Sequence, residues 1–368
     1  MADPGRGSGA AGGTGEKAGA RTARRLRIAL VAPVAQPVPP VRSGSIETLT
    51  AMLANGLVDR GHDVTLFATG GSSTRARLHA TFPLGYREDP ALWPWEMCEL
   101  VNVAAAVERA PAYDLVHCQA EYAPMSLVFT ALCRTPMVHT VHHLPTPSEV
   151  VLWGRARPAP FIAVSHAQAR ALAPLPVAGV VYHAVDLAAC AFRGSPDDYL
   201  LFLGRFTEGK GVLPAVELAR RTGHRIVLAA KADDYYHRHV APHVDGQAVV
   251  YAGEVDHAAK VALLGGARAL VYPVQAGESF GLVLAEAAAC GTPVAALRQG
   301  AVEEIVEDGV TGVVGESLDE LVAALPRALA LDRRAIRQRA VARFGADRMV
   351  DEYVALYARL AASAARGA

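Results

Sequence analysis

Residues 269–297 read ALVYPVQAGESFGLVLAEAAACGTPVAAL. An apolar strand from Ala269 to Pro273 leads into a polar loop with two glycines, and the loop leads into an apolar helix. The first backbone N–H groups of a helix have no partner within it, so this corner suits an anionic or hydroxyl-rich ligand. Glu278 lies in the loop and Glu286 lies eight positions later in the helix, where both carboxylates can bind ligand hydroxyls. The small and apolar neighbours of Glu286 favour a partnered carboxylate over a surface salt bridge.

Strand and helix patterns alternate on both sides of this stretch. One series starts with the apolar strand Leu26 to Pro33 and continues to about Tyr182, and a second starts at Tyr199 to Gly204 and continues to Val314. Such alternation predicts parallel sheets with helices on both faces. We therefore predict an α/β protein with two doubly wound, Rossmann-like domains that face a central cleft, because ligands of such sheets bind beyond the carboxyl ends of the strands.

The N-terminal residues 1–25 do not belong to either series. Gly7 to Gly12 matches the G-x-G-x-x-G string of dinucleotide-binding proteins, but that pattern needs a strand before it and a helix after it. The segment is rich in glycine, alanine and arginine and has neither, so we predict a disordered tail.

Composition excludes several classes of function. The 368 residues carry 36 Lys and Arg against 36 Asp and Glu, so we predict no nucleic-acid partner. No apolar stretch approaches the roughly 20 residues of a membrane span, and the N-terminus has no secretory apolar region. Five scattered cysteines without a C-x-x-C pair fit reduced thiols, so we predict a cytoplasmic protein. No Asp-x-Asp string or other ligand frame is present, so we predict no metal site and no cofactor.

Two further loops carry candidate binding residues. Arg205 and Lys210 lie between glycines after the first strand of the second series, where fixed cations can bind a diphosphate; solvated loop charges are the alternative. Gly44 precedes the first helix, at another helix-start anion site, with helix capping by Ser45 as the simpler reading.

Histidines and aromatic residues mark the loops of the first series. His142 follows the strand that ends near Val141, where doubly wound folds place ligands, although a lone histidine there is more often structural. Acceptor contacts are weaker predictions, since core packing explains the aromatic rings equally well. They comprise Trp95, Glu121, Tyr122 and His143. The arginine-rich helix after Leu331 is expected to be a solvated face, and peripheral contact with an anionic membrane stays open.

The segment from Glu278 to Glu286 resembles the Glu-x7-Glu motif of retaining nucleotide-sugar glycosyltransferases with the GT-B fold, glycosyltransferase family 4. The Gly-Arg and Lys-Gly pairs at 204–205 and 210–211 match the same family, whereas Ser45 replaces the family's second glycine after Gly44. The resemblance implies that Arg205 and Lys210 bind the diphosphate and that Glu286 binds the ribose. It also implies a donor-sugar site formed by Gly44, His142, Glu278, Ser279, Phe280, Gly281 and Leu282, with His142 and Glu278 beside the reacting carbon.

The resemblance also implies a division of the chain and a reaction. Residues 26–185 would form the acceptor domain, residues 186–345 the nucleotide-sugar donor domain, and residues 346–368 a helix that packs back on the first domain. We expect a retaining hexosyltransferase that moves a sugar from a UDP-, GDP- or dTDP-sugar to a hydroxyl of a small molecule, natural product, glycolipid or saccharide. A nucleotide-sugar epimerase or a non-catalytic sugar-nucleotide binding protein on the same fold is the alternative. A dinucleotide oxidoreductase is disfavoured because no glycine fingerprint follows either initial strand.

Overall fold

A computed structural model describes residues 24–41 and 44–367 of the chain. Most of the predicted tail, residues 1–23, lies outside these described residues. The prediction of an α/β fold with two Rossmann-like halves is confirmed, because the chain forms two separate parallel sheets of seven and six strands. Between 24–41 and 44–367, no helix combines the length and the apolar character that crossing a bilayer demands.

The first sheet has the strand order β3-β2-β1-β4-β5-β6-β7 and all its pairs are parallel. Its direction of growth reverses between β1 and β4, and such a switch point opens a crevice at the carboxyl ends of the strands. The seven strands are β1 Arg27–Val31, β2 Asp63–Thr69, β3 Arg77–Phe82, β4 Leu115–Cys118, β5 Met137–Thr140, β6 Phe161–Ala163 and β7 Val177–Val180.

The second sheet repeats the pattern with the order β10-β9-β8-β11-β12-β13. Its switch point lies between β8 and β11, and both strands are apolar runs because helices cover both faces of the sheet. The strands are β8 Leu200–Leu203, β9 Ile226–Ala229, β10 Val249–Gly253, β11 Ala269–Tyr272, β12 Val294–Leu297 and β13 Gly312–Gly315.

The helices lie between these strands and at the end of the chain. The α-helices are α1 Ser45–Asp59, α2 Trp95–Glu108, α3 Pro147–Trp153, α4 His166–Leu172, α5 Val212–Thr222, α6 His257–Gly266, α7 Leu282–Ala289, α8 Val302–Ile305, α9 Leu318–Leu329, α10 Arg333–Phe344 and α11 Ala346–Gly367. Short 3₁₀ helices occupy Ala110–Ala112, Ala123–Phe129, Glu208–Lys210 and Ala241–His243, and a π-helix occupies Tyr236–Val240.

The last helix, α11, packs against the first sheet and α1. Val350 of α11 lies so close to Gly56 of α1 that a Cβ at Gly56 would come within 2.5 Å of Val350 Cγ2. The Tyr357 hydroxyl lies 2.5 Å from Nδ1 of the fully buried His117 on β4. Burial of Tyr353 and Tyr357 therefore fixes the end of the chain to the N-terminal half.

Two local elements differ from what the sequence indicates. Strand β3 was not predicted, because its sequence RLHATF is a short run of alternating polar and apolar residues at a half-exposed edge of the sheet. The stretch from Ala123 to Cys133, whose composition favours an α-helix, forms a 3₁₀ helix that stops at Phe129. Pro124 lies at its start, and the Ser126 and Thr130 hydroxyls donate to the carbonyls of Ala123 and Leu127, three residues back.

The predicted basic face of α10 is only partly solvated, since Arg334 and Arg339 are exposed but Arg333 is not. Arg333 is nearly buried and its guanidinium donates to the carbonyls of Arg193, Gly265 and Ala267. Arg337 donates to the carbonyls of Leu187 and Cys190, and Arg339 and Arg343 both pair with Glu307. Arg333 and Arg337 therefore fasten the helix to its own half of the protein.

Candidate active site between the two sheets

A cleft of about 560 Å³ lies between the carboxyl ends of the two sheets. Gly44 and the first turns of α1 line one side of the cleft. Residues 184–186 and Cys190, which belong to the segment that joins the two halves, also line it. The opposite wall contains Arg205 after β8, Lys260 on α6, and Leu282 and Glu286 on α7. Gly44, Arg205, Leu282 and Glu286 were all predicted as donor-binding residues, and the structure brings them to one cleft.

Glu286 forms an ion pair inside this cleft. Lys260 Nζ donates to Glu286 Oε1 at 2.5 Å, and the side chains are 24% and 12% exposed. The pair lies at the wall, so a ligand hydroxyl can replace the lysine as a partner of the carboxylate. Lys260 was missed in the sequence because a lysine on an amphipathic helix normally indicates a solvated face.

A second cluster joins Lys210, Glu278 and Tyr272. Lys210 Nζ donates to Glu278 Oε2 at 2.7 Å and to the Tyr272 hydroxyl at 2.9 Å, and the tyrosine itself donates to Glu278 Oε2 at 2.5 Å. Burial opposes ionisation of Glu278, but the charge of Lys210 and hydrogen bonds from Lys210, Tyr272 and the Phe280 amide bring its pKa below the ordinary value. Glu278 is therefore a carboxylate at neutral pH, although only 8% of the residue is exposed.

Tyr272 was not predicted as a site residue, since it ends an apolar strand and its sequence context indicates core packing. Burial, followed by the charge of Glu278, raises its pKa, so the phenol keeps its proton and remains a donor. Arg205 connects this cluster to the cleft, because its positive charge acts on Tyr272. Within 24–41 and 44–367, the exposed Arg205 side chain makes no ion pair or hydrogen bond, which leaves its guanidinium free for a ligand.

Tight backbone packing holds the loop that carries Glu278. A Cβ on Gly300 would lie 2.2 Å from the Glu278 carbonyl oxygen, which also accepts from the Ala301 amide at 2.9 Å. Gly281 has a φ of 82°, in the left-handed region that favours glycine, and directly precedes α7. The loop therefore turns sharply into the helix at Leu282, and Phe280 fills the core beneath it with 2% exposure.

His142 reaches this loop from the first sheet. The Ser279 hydroxyl donates to the His142 carbonyl at 3.1 Å, and the His142 ring stacks on His183 with centroids 5.4 Å apart. Neither ring nitrogen of His142 has a hydrogen-bond partner among residues 24–41 and 44–367. Burial, together with the nearby His143, lowers the pKa of His142 to about 3, so the ring is neutral near pH 7. A neutral imidazole with two unpaired ring nitrogens can form hydrogen bonds with a substrate.

Gly44 lies where a side chain would clash. A Cβ at this position would come within 2.5 Å of both Gln36 Nε2 and Glu47 Oε2. The helix starts at Ser45 with Gly44 as its cap residue, so the expected capping role of Ser45 is wrong. The first turn of α1 lies at the cleft, which Gly44, Ser45 and Thr48 line.

The four predicted acceptor residues separate into two groups. Tyr122 stacks on His143 with ring centroids 5.6 Å apart, and both side chains bond Glu149 Oε1. Trp95 packs near Tyr86 with ring centroids 6.3 Å apart, and Glu121 lies 3.6 Å from Arg87. None of the four lines the 560 Å³ cleft, so the structure does not join them to the donor-side residues in a single pocket.

Within residues 24–41 and 44–367, no group of three or more histidine, cysteine, aspartate or glutamate side chains is arranged to hold a metal ion. The positive charge in contact with Glu278 is that of Lys210, whose Nζ lies 2.7 Å from Glu278 Oε2.

Comparisons with known proteins agree with this architecture. Residues 46–189 match the family model described as Glycosyltransferase Family 4, and residues 192–343 match that of Glycosyl transferases group 1. A D-inositol 3-phosphate glycosyltransferase of Mycobacterium avium is 30% identical, with 91% of this chain and 94% of the relative covered. A phosphatidyl-myo-inositol mannosyltransferase of Mycolicibacterium smegmatis is 29% identical, with 82% and 84% covered.

Solved structures show the same fold. A glycosyltransferase involved in avilamycin A biosynthesis superposes with a TM-score of 0.71 at 27% identity, covering 92% of this chain and 98% of its own. Sucrose-phosphate synthase of Thermosynechococcus elongatus gives a TM-score of 0.73 at 21% identity, covering 92% and 100%. The two sheets and the cleft between them thus define a GT-B glycosyltransferase. The chain belongs to glycosyltransferase family 4.

Proposed function

We propose that the protein transfers a glycosyl group from a nucleoside diphosphate sugar to an acceptor hydroxyl, with retention of the anomeric configuration. The observation that carries this proposal is the pairing of Lys210 with Glu278 in the loop that leads into α7, the helix that brings Glu286 to the cleft lined by Arg205. A diphosphate needs fixed cations and a sugar needs hydrogen-bonding carboxylates, and this site supplies both within one corner.

In this proposal the leaving group is stabilised by side chains. Negative charge grows on the diphosphate as the bond to the sugar breaks, and Arg205 and Lys210 offset it; Lys210 does so from a position that Glu278 and Tyr272 fix before the reaction. Glu286 binds the ribose diol, with Lys260 released toward the phosphates. We propose that the enzyme needs no metal ion, because two cations already face the diphosphate position.

The donor sugar would lie between α7 and the first sheet. Glu278 and the amides near Phe280 and Gly281 bind its hydroxyls, and the unpartnered ring of His142 faces it from the other half. The acceptor would approach from the N-terminal half, where Tyr122, His143, Glu121 and Trp95 lie. In this division residues 26–185 present the acceptor, residues 186–345 hold the donor and residues 346–368 join the two. The five cysteines are free thiols, which suits a reducing, cytoplasmic setting.

The first test is a melting-temperature screen with UDP, GDP, dTDP and ADP. A ligand that binds only the folded state raises its stability by linkage, so one nucleotide should raise the melting temperature most. Sugar donors of that nucleotide are then incubated with the protein, and nucleoside diphosphate release to water is measured without an acceptor. We expect slow release by the wild type and much slower release by Glu278→Gln.

The same assay separates the alternatives. An epimerase would change the sugar while the diphosphate linkage stays intact, and a binding protein would show nucleotide-dependent melting with equal, negligible release by wild type and Glu278→Gln. NMR of the released or transferred sugar before mutarotation gives its anomeric configuration. An inverted product would contradict the proposed retention, and no nucleotide response at all would contradict the donor assignment.

A further inference from the structure

We propose that Glu304 is a positioning residue that holds the two halves of the protein together in the arrangement that the reaction needs. Its carboxylate extends from the second half to the first, and this contact breaks when the cleft opens. The inference rests on the proposed function for its effect on turnover, whereas its effect on the spacing of the two halves is measured without any substrate.

Glu304 lies in α8 of the second half, and the three donors that bind its carboxylate lie in the first half. Oε2 accepts from the His166 amide at 2.7 Å and from the Tyr182 hydroxyl at 2.9 Å, and Oε1 accepts from the Ala167 amide at 2.6 Å. Hydrogen bonds to an ionised carboxylate are about twice as strong as bonds between neutral groups. One side chain therefore makes a strong contact between the halves.

The carboxylate of Glu304 completes the start of α4. The first amides of a helix have no partner within the helix, and this end of a helix favours negative charge. The Ser165 hydroxyl oxygen accepts from the Gln168 amide at 3.0 Å, and the amides of His166 and Ala167 bind Glu304. The first half thus presents a helix end that suits an anion, and the second half supplies the anion.

The Glu304 contact lies beside the hinge of the protein. The chain crosses between the halves near residue 185 and again after residue 344, and these crossings meet because the Val185 amide donates to the Phe344 carbonyl at 2.9 Å. Arg343, directly before Phe344, donates to the Glu304 carbonyl. A contact next to a hinge fixes the angle between two domains, so a small displacement there becomes a larger one across the cleft.

The helix that carries Glu304 is also joined to the loop that carries Glu278. The Glu304 amide donates to the Ala301 carbonyl at 2.9 Å, and the Ala301 amide donates to the Glu278 carbonyl at 2.9 Å. The next residue of that loop, Ser279, donates to the His142 carbonyl of the first half at 3.1 Å. The spacing that Glu304 sets therefore also sets the position of His142 relative to Glu278, the two groups proposed to face the donor sugar.

The Glu304 contact can also open. Glu304 is half-buried and His166 is exposed, so water can take the place of each partner when the halves separate. Substrate entry and product release need an open cleft. We therefore expect this contact to break and re-form in each catalytic cycle.

Replacement of Glu304 with glutamine removes the charge and one of the two acceptor oxygens but keeps the size of the side chain. Arg205, Lys210 and Glu286 all belong to the second half, so affinity for a nucleoside diphosphate should stay within about twofold of the wild type. Donor turnover should fall by about 10²-fold, because a misplacement of about 1 Å at the reacting groups has an effect of that size.

Two measurements on the full-length protein test the contact without any substrate. Hydrogen exchange, followed by mass spectrometry, should be faster at the start of α4 in Glu304→Gln than in the wild type, because the amides of His166 and Ala167 lose their acceptor. Small-angle X-ray scattering should give a larger radius of gyration for the variant, because its halves separate more often. The matched control is Glu303→Gln, which changes the neighbouring exposed glutamate that pairs with Arg298 and should match the wild type in both measurements.

Calorimetry with UDP, GDP, dTDP and ADP and the donor hydrolysis assay complete the test. Wild-type exchange at α4 together with wild-type scattering in Glu304→Gln would overturn the proposal. Wild-type turnover would also overturn it, and so would a loss of nucleotide affinity as large as the loss of turnover, which indicates a defect in the fold of the second half. A wild-type protein that binds none of the nucleotides would count against the proposed function instead, and the exchange and scattering data would still test the contact between the halves.

Discussion

Replacement of Lys210 with methionine removes the cation from Glu278 but keeps most of the side-chain volume. In the wild type the carboxylate of Glu278 accepts from Lys210 Nζ at 2.7 Å and from the Tyr272 hydroxyl at 2.5 Å. The variant leaves an ionised, nearly buried carboxylate with the tyrosine and the distant Phe280 amide at 3.4 Å. We therefore expect Lys210→Met to lower both the stability of the fold and the affinity for a nucleoside diphosphate.

The exposure of the pair sets the size of the effect. Breaking a fully buried ion pair costs about 3–5 kcal/mol, and a surface pair contributes about 0–1 kcal/mol. The Lys210 and Glu278 side chains are 26% and 10% exposed, which lies between these cases. We expect a loss of about 2–3 kcal/mol at pH 7. A control on the surface, Arg221→Met, breaks the pair with the 82% exposed Asp319 and should cost about 1 kcal/mol or less.

The stability difference between the wild type and Lys210→Met should depend on pH. In the wild type the pKa of Glu278 is depressed, so its stabilising contribution is present above the unfolded pKa and is lost as the pH falls. Without Lys210, burial dominates and the pKa of Glu278 rises above its ordinary value, so the carboxyl group takes up a proton on acidification. The stability difference between wild type and Lys210→Met should therefore shrink as the pH is lowered from 7 to 5.

Urea unfolding of the wild type, Lys210→Met, Glu278→Gln and the double variant measures these terms. The double variant removes both charges and should be more stable than the sum of the single losses implies. Donor hydrolysis should fall by about 10²–10³ in Lys210→Met and should not recover in the double variant. Additive stability losses, or a Lys210→Met protein with wild-type nucleotide affinity, would refute the reasoning.

Three further predictions concern other residues of the protein. Replacement of His142 with alanine should leave nucleotide affinity, measured by calorimetry, within about twofold of the wild type. It should lower donor turnover, measured as hydrolysis, by about 10²-fold. Equal losses of affinity and turnover would contradict a role of His142 at the donor sugar. Burial lowers the pKa of His139 to about 3. As the pH falls below about 6.5, this histidine therefore takes up a proton in the unfolded state but not in the folded state. Stability should thus drop by about 2 kcal/mol at pH 5 through this group, and urea titrations of His139→Gln should show a weaker drop. A chelator should leave donor hydrolysis unchanged because Lys210 and Arg205 supply the charge, and an activity that is lost with EDTA and restored by a divalent ion would contradict this.

The sequence was sufficient to predict the parts of the fold with strong periodicity. Parallel strands buried on both faces, such as Leu200–Leu203 and Ala269–Tyr272, are apolar runs that no other fold class explains as well. The edge strand Arg77–Phe82 was not recognised, since its alternating pattern is only six residues long and no residue of it is fully buried. The 3₁₀ helix Ala123–Phe129 depends on hydroxyl-to-carbonyl bonds that an apolar pattern does not reveal.

Site residues were predictable where glycine and charge coincide in one loop. Glu278, Arg205 and Lys210 stand among glycines, and that local pattern indicates ligand binding. Lys260 and Tyr272 lack such a local pattern. Each contacts its partner, Glu286 or Glu278, only once the chain has folded. The burial of Arg333 and Arg337 in α10 was not predicted for a similar reason. Their partners are main-chain carbonyls, which a sequence does not display.

A crystal structure of the protein with the nucleoside diphosphate that most raises its melting temperature tests the central claim most directly. We predict a diphosphate that contacts both Arg205 and Lys210, with the ribose hydroxyls on Glu286. A nucleotide bound outside the cleft, or one whose phosphates contact neither of the two cations, would contradict the account.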